Sequence, residues 1–457
     1  MLEEIRKSAL RWAENNQDKT CTKGWYNSPR ISSEFMDCST PFSFDLYNFC
    51  SFGCLYCFAY YSKANNPSVA HNNKAMELKS VNVDKILDIF EGKFPNNIYY
   101  KHFIKNRKVI HIGGLADNFC NFERKNKRGL RIIEYLLKTG YPTIISTKGD
   151  FLSIPEYAEM FEKYKDTAKM AIQFSIITNK PELAAQIEVG APSPVRRMEI
   201  LKQMHAWGYW TILRLRPFLI GVSDRDLDGF LQCMNTYDID AISTEFYCLD
   251  MRAKEEDKKR YKWMSDVCGF DIIDYYEKLS PASRGTYRRL NRNVKEKYVK
   301  KMYKFCVENG KHFAISDPDF KELNMSGSCC GLPDDWNWCR NQMTNLLRLA
   351  RKKYMETGEA IVTYDDVVMD AIEELWKKEN KFFNDDISTV SVNTSEEKNS
   401  NHEMLFRRRW NNPKGFNSPY SYFDGKLVPI MVDDKGNIVY QYKPSPYEHR
   451  WQQEGLL

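Results

Sequence analysis

The sequence predicts an α/β protein: a partial parallel (β/α)6 barrel, then a helical C-terminal region that ends in a β-hairpin. Three observations carry this. Strand-like apolar runs alternate with helical patterns from about residue 43 to residue 248. Strands separated by helices need crossover connections, which make neighbouring strands parallel. Beyond them the pattern turns mostly helical and closes on LVPIMVDDKGNIVYQY, two apolar runs around a DDKGN turn.

Residues 1–40 read as a short N-terminal helix and a loop rich in Ser, Pro and Asn, and 41–320 as the barrel. The strand candidates are 44–47, 109–112, 142–146, 171–177, 211–216 and 242–247, with 312–316 as a further edge strand. Helical patterns fill the gaps at 83–90, 129–138, 155–164, 193–206 and 223–234, and Ser193 is placed to cap its helix. In such a fold the chemistry belongs to the loops at the C-terminal ends of the strands. The remainder, 321–457, is read with the preceding helical stretch 284–310: helix again over 336–380, a polar linker at 384–402, and a hairpin over 427–442 turning at 434–437. No internal repeat is present.

At 457 residues, 42% hydrophobic and 14% aromatic, the chain can bury a large core. It has no run of eighteen apolar residues, so no spanning helix is expected and no membrane partner. The N-terminus is charged and amphipathic, unlike a secretory signal, and the expectation is a cytoplasmic protein. Thirteen cysteines in a reducing compartment point to metal or redox chemistry rather than disulfides. The net charge of +6 is compatible with a polyanionic partner without establishing one.

Cysteines 50, 54 and 57 fall in the segment DLYNFCSFGCLYCFAY, on the loop after the first strand. Three thiolates within eight residues can bind three irons of a cubane cluster and leave the fourth open to a small molecule. A zinc site completed by a distant Cys or His, or buried structural thiols, are the other readings of this loop.

The C-x3-C-x2-C pattern, with Tyr56 before its last cysteine, resembles the radical S-adenosylmethionine (SAM) superfamily. That resemblance implies a [4Fe–4S] cluster on Cys50, Cys54 and Cys57, with SAM on its open iron. It also implies an electron donor such as flavodoxin or ferredoxin, and a 5′-deoxyadenosyl radical that abstracts hydrogen from a substrate. Five further segments, GGLAD, STKGD, QFSIIT, EVGAPSPVRR and RLRPFLIG, are similar to the spore photoproduct lyase-like branch, over about residues 41–250. Gly113 and Gly114 then resemble the segment that contacts the SAM amino group, with a simple strand-ending turn as the other reading. Lys148 and Ser175 carry over as SAM contacts, Thr178 as a second hydroxyl partner, and Asp117 as a residue beside the SAM site. Glu188 and Arg214 join the cofactor-binding candidates; Arg214 and Arg216 either meet a carboxylate or phosphate or pair with Glu188 or Glu245.

One position departs from that branch. The lyases carry a hydrogen-donating cysteine three residues before the aspartate of the segment after strand two; here Gly114 stands there, and the nearest thiol is Cys120. Cys120 is therefore a candidate hydrogen-atom donor. Cys329 and Cys330, in MSGSCCGLP, have three open roles: ligands of a second Fe–S cluster with Cys248 or Cys339, a redox-active or hydrogen-donating thiol, or packing. The stretch 284–304 holds nine basic residues and one acidic residue, with Tyr287, Tyr298 and Tyr303 interleaved. That composition suits phosphate contacts plus stacking, or a solvated helical face. The favoured expectation is hydrogen abstraction from a nucleobase or nucleotide in DNA. The alternatives are a radical maturase of a peptide or small molecule with a second cluster, and a zinc-bound nucleic-acid-binding protein.

Overall fold

The computed structural model describes residues 20–21, 23–25, 30–31, 39–40, 42–61, 78–97, 99–105, 107–251, 255–280, 287–326, 328–333, 346–367, 407–415 and 418–457. They pack as two compact units: one from residues within 1–29, 43–93 and 110–313, the other from residues within 30–42, 94–109 and 314–457. The expected helix before residue 20, the linker at 384–402, Cys38 and Cys339 lie outside the described residues.

The first unit is built on an open sheet. Its strands are β1 (Phe42–Phe44), β2 (Ile110–Ile112), β3 (Thr143–Thr147), β4 (Met170–Ser175), β5 (Trp210–Phe218), β6 (Ala241–Phe246) and β7 (His312–Ile315), neighbours in that order. The ladders from β2 through β6 are all parallel. The crossovers include α1 (Val83–Phe90), α2 (Asn121–Asn126), α3 (Leu130–Lys138), α4 (Pro155–Lys163), α5 (Pro194–Ala206), α6 (Leu227–Thr236) and α7 (Arg292–Glu308). This is the expected partial barrel, and it does not close.

Side-chain alternation makes the two faces of the sheet chemically different. Ile110, Ile112, Ile145, Ile172, Phe174, Leu213, Leu215 and Ile242 occupy one face and are fully buried. Phe174 stacks on Phe151, 5.9 Å between centroids, and Phe151 meets Phe161 of α4 at 5.0 Å, so this face lies under the helices. The register puts His111, Ser146, Gln173, Ser175, Arg214 and Ser243 on the other face. A polar face inside a half-barrel is a place for a ligand, because its hydrogen-bonding groups converge on the concave side.

Two boundaries differ from expectation for local reasons. The first strand ends at Phe44, because the next residues turn out of the ladder: the Leu46 N–H donates to the Asn118 side chain at 2.7 Å. Tyr47 keeps only an isolated bridge to Ser80. The helix expected from 223 starts at Leu227, since Ser223 and Asp224 spend their side chains on the amides of Leu219 and Gly221, at 3.0 and 2.6 Å, and Asp226 supplies the cap. Ser193 caps α5 as expected, accepting the Arg196 N–H at 3.2 Å.

The helical stretch expected over 284–310 begins at Arg292; Tyr287–Arg289 pairs instead as an antiparallel strand with Cys248–Asp250. The tyrosines of α7 face inward. Tyr298 lies 5.0 Å from the Phe218 ring and donates to Asp224 at 2.9 Å, while Tyr303 packs on Phe313 at 5.5 Å. They belong to the core rather than to a stacking surface.

In the second unit a helix, Leu346–Thr357, accompanies a three-stranded sheet. The expected hairpin forms from Leu427–Val432 and Ile438–Tyr442, and Ile361–Val362 adds a third strand. Its turn closes where the Asp433 N–H donates to the Asn437 carbonyl at 2.8 Å, with Gly436 at φ +78°. Trp410 and Trp451 are fully buried there. Among the described residues no helix is long and apolar enough to cross a membrane.

Candidate functional site

The cysteine loop leaves β1 at the C-terminal end of the sheet and is tied down on both flanks. On one side Asp45 accepts the N–H groups of Leu115 and Ala116 at 3.2 and 3.3 Å, and Ser51 accepts the Asn121 N–H at 3.1 Å. Phe49 meets Phe122 edge to face at 5.0 Å. On the other side the Leu55 N–H donates to Ile187 and the Gly190 N–H to Phe52, each at 2.9 Å. Tyr56, between the second and third cysteines, donates its hydroxyl to Glu188. Arg197 of α5 pairs with the same carboxylate and donates to the carbonyls of Pro192 and Ser175. The guanidinium offsets the cost of burying this carboxylate, and the pair ties the loop to α5.

Cys54 is buried; Cys50 and Cys57 are half-buried. Burial pushes the Cys54 thiol up, the Lys148 cation pulls it down, and Glu188, Cys50 and Cys57 push it up again, so all three thiols share one electrostatic neighbourhood with Lys148. The Lys148 ammonium sits 5.5 Å from the centroid of the Tyr56 ring. Burial pulls it down, but Cys54, Glu188 and Asp117 hold it above its usual value in spite of Arg197. The Cys50 sulfur accepts the Phe52 N–H at 3.4 Å, and the neighbouring Cys120 and burial push the Cys50 thiol up. As the loop stands, no three His, Cys, Asp or Glu side chains among the described residues are gathered into a preformed metal site. The donor set itself fits an Fe–S cluster: three soft thiols on one short loop, with a cation beside them to offset thiolate charge.

The loops after β2 and β3 interlock. Gly113 stands at φ +92°, and a Cβ there would lie 2.1 Å from the Ser146 carbonyl oxygen. A Cβ on Gly149 would lie 1.9 Å from the Phe119 carbonyl oxygen. Asp117 bridges the pair by accepting from the Thr147 hydroxyl at 2.7 Å and the Lys148 N–H at 2.6 Å. Glycine at 113 is therefore required by the neighbouring strand, whatever ligand lies beyond it.

Across the polar face runs a row of hydrogen bonds that joins residues of separate sequence motifs. His111 Nε2 meets Ser146 Oγ at 2.7 Å, Ser146 donates to Gln173 at 2.9 Å, and Arg214 donates to both, at 3.1 and 3.3 Å. The signal available was strand periodicity, since each occupies an inward position on its own strand.

The structure thus brings Cys50, Cys54, Cys57, Lys148, Glu188 and Cys120 together. Ser175 and Arg214 share the polar face below them. Arg214 is bonded to Ser146 and Gln173, whereas Glu188 takes Arg197 as its cation. Thr178 accepts the Lys180 N–H at 3.2 Å, and Gly114 follows Gly113 in the interlocked loop. Cys329 and Cys330 belong to the second unit, where the Cys330 N–H donates to Ser328. Sequence reasoning missed Glu123. Its fully buried carboxylate accepts from the hydroxyls of Tyr47 and Tyr157 and from the N–H groups of Arg128 and Gly129.

No protein-family model matches the chain, and no curated protein does. Among the solved structures it resembles are spore photoproduct lyases. A single-residue variant of that lyase superposes with TM-score 0.44 at 14% identity, over 61% of this chain and 76% of the other. A form with bound AdoMet and dinucleoside spore photoproduct gives 0.43 at 13%, over 61% and 77%. A complex with dinucleoside spore photoproduct gives 0.43 at 12%, over 69% and 84%. The functional reading is carried by this chain's own residues.

Proposed function

We propose that this chain is a radical SAM enzyme that holds a [4Fe–4S] cluster on Cys50, Cys54 and Cys57 and takes hydrogen from a nucleobase or nucleotide in DNA. The observation that carries the reading is the cysteine loop itself: three thiols at the C-terminal end of a parallel half-barrel, clamped at Tyr56 and accompanied by Lys148. When bound, the cluster supplies one electron for cleavage of SAM, and the carbon radical so released abstracts hydrogen. The protein's part is placement. Tyr56, Glu188 and Arg197 hold the loop over the polar face, and Lys148 offers its ammonium to a carboxylate beside Cys54. His111, Ser146, Gln173 and Arg214 present hydrogen-bonding groups below it.

The DNA part of the proposal draws on the motif resemblance and on the basic residues of 284–304, with the tyrosines of α7 removed from that surface. The test is anaerobic reconstitution with iron and sulfide. About four irons per chain and a broad visible band are expected, with 5′-deoxyadenosine released from SAM under reduction. Substituting Cys54 by Ala is expected to abolish both. A colourless protein that retains zinc instead would overturn the reading. A gel shift that weakens steeply with salt is expected for DNA, and no shift at low salt would remove the nucleic-acid part.

A further inference from the structure

A lysine carries its charge on a flexible four-carbon stem, so where the ammonium stands depends on how firmly its backbone is held. For Lys148 that hold comes from Asp117. The Asp117 Oδ2 atom accepts the Lys148 N–H at 2.6 Å, and Oδ1 accepts the Thr147 hydroxyl at 2.7 Å. Thr147 Oγ1 in turn accepts the Gly149 N–H at 2.8 Å, so three consecutive residues hang on one carboxylate. The Phe119 N–H, 3.0 Å from Oδ1, orients that carboxylate from its own loop. Just before it, Leu115 and Ala116 donate to Asp45, ahead of the cysteine loop. A continuous set of contacts thus joins the stem of the cysteine loop to Lys148, whose ammonium lies 5.5 Å from the centroid of the Tyr56 ring. Every contact to Asp117 is a donation, which suits a carboxylate. An asparagine would turn its NH2 either onto the Lys148 N–H or onto the Phe119 N–H, donor against donor.

We infer that Asp117 is a positioning residue for the cofactor: it holds the Lys148 backbone so that the ammonium meets the SAM carboxylate beside the cysteine loop, and does not itself touch SAM. Motif resemblance alone puts Asp117 next to the cofactor, and its hydrogen bonds give it a task there. It makes and breaks no covalent bond.

The inference rests on the radical SAM reading, and the experiment separates the two. SAM binding to the reconstituted protein is measured by equilibrium dialysis. The comparison ligand is 5′-methylthioadenosine, which lacks the amine and the carboxylate. Lys148→Ala is expected to weaken SAM about tenfold, the worth of a hydrogen bond between charged groups. Asp117→Asn is expected to weaken SAM to a similar degree, to leave methylthioadenosine unaffected, and to keep about four irons per chain. In a Lys148→Ala background it is expected to add no more than about twofold, since one contact cannot be lost twice. Wild-type SAM affinity in either single variant overturns the inference and leaves the radical SAM reading intact. So do equal weakening of both ligands, loss of iron from Asp117→Asn, and losses that multiply in the double variant. If Asp117→Asn fails to fold, Thr147 decides. Thr147→Val is expected to weaken SAM selectively, and Thr147→Ser, whose hydroxyl still donates, to bind as wild type; equal affinities in those two overturn the inference. A wild-type chain that holds no iron or binds no SAM overturns the radical SAM reading and this inference with it.

Discussion

Two buried glutamates bracket the cysteine loop, and they are held in opposite ways. Glu188 secures Tyr56 inside the loop and faces the Arg197 guanidinium, with both side chains about 1% exposed. Glu123 secures Tyr47 before the loop and has only neutral donors: two phenols and two backbone N–H groups. The first clamp is an ion pair, with the guanidinium set directly against the carboxylate. Burial without a cation pushes the Glu123 carboxyl up to about 7, against the pull of its four donors. The same residue type, doing the same mechanical task on two sides of one loop, faces a cation in one place and only neutral donors in the other.

Breaking the compensated clamp gives the largest effect. Arg197→Ala leaves Glu188 buried and unpaired, and a loss of about 3–5 kcal/mol in urea unfolding is expected. Replacing Arg197 by Met together with Glu188→Gln is expected to recover much of that loss, because no uncompensated charge remains.

The uncompensated clamp is tested by pH. Since the folded carboxyl binds its proton more tightly than the unfolded one, its contribution is fully present below about pH 4.5 and is lost as pH rises through about 7. The size is of the order of 3 kcal/mol across that window. Glu123→Gln is expected to flatten this part of the stability–pH curve, whereas a curve of unchanged slope would remove Glu123 as its source. Next in size comes Gly113→Ala, which forces a left-handed conformation and a clash with the Ser146 carbonyl. A loss of more than about 1 kcal/mol is expected, measured by the shift in Tm. Tyr157→Phe removes one of four donors to Glu123 and is expected to cost about 1 kcal/mol, with the Glu123 titration moved further upward.

The parallel half-barrel was legible because its crossover pattern and its apolar strands are local features. β2 through β6 fall within one or two residues of their expected positions. The cysteine loop was legible for the same reason, as three residues at short spacing. Contacts between distant segments were not. Glu188 reads as a ligand candidate from its motif, yet its partner Arg197 lies on the next helix and its other partner 132 residues earlier. Glu123 sits in a charged run, RKNKR beside it, that reads as solvated surface; only the fold turns it inward between two tyrosines. The interleaved tyrosines of α7 show the reverse error of composition, because spacing alone does not tell a stacking surface from a core face.

The interlocked glycines carry a consequence for how the mouth of the half-barrel adapts. With Gly113 under Ser146 and Gly149 under Phe119, the loops after β2 and β3 cross twice at distances that admit no side chain. They behave as a single rigid lip, and neither can swing without the other. Any change in the width of that mouth then falls to the opposite rim, the segments after β5 and β6.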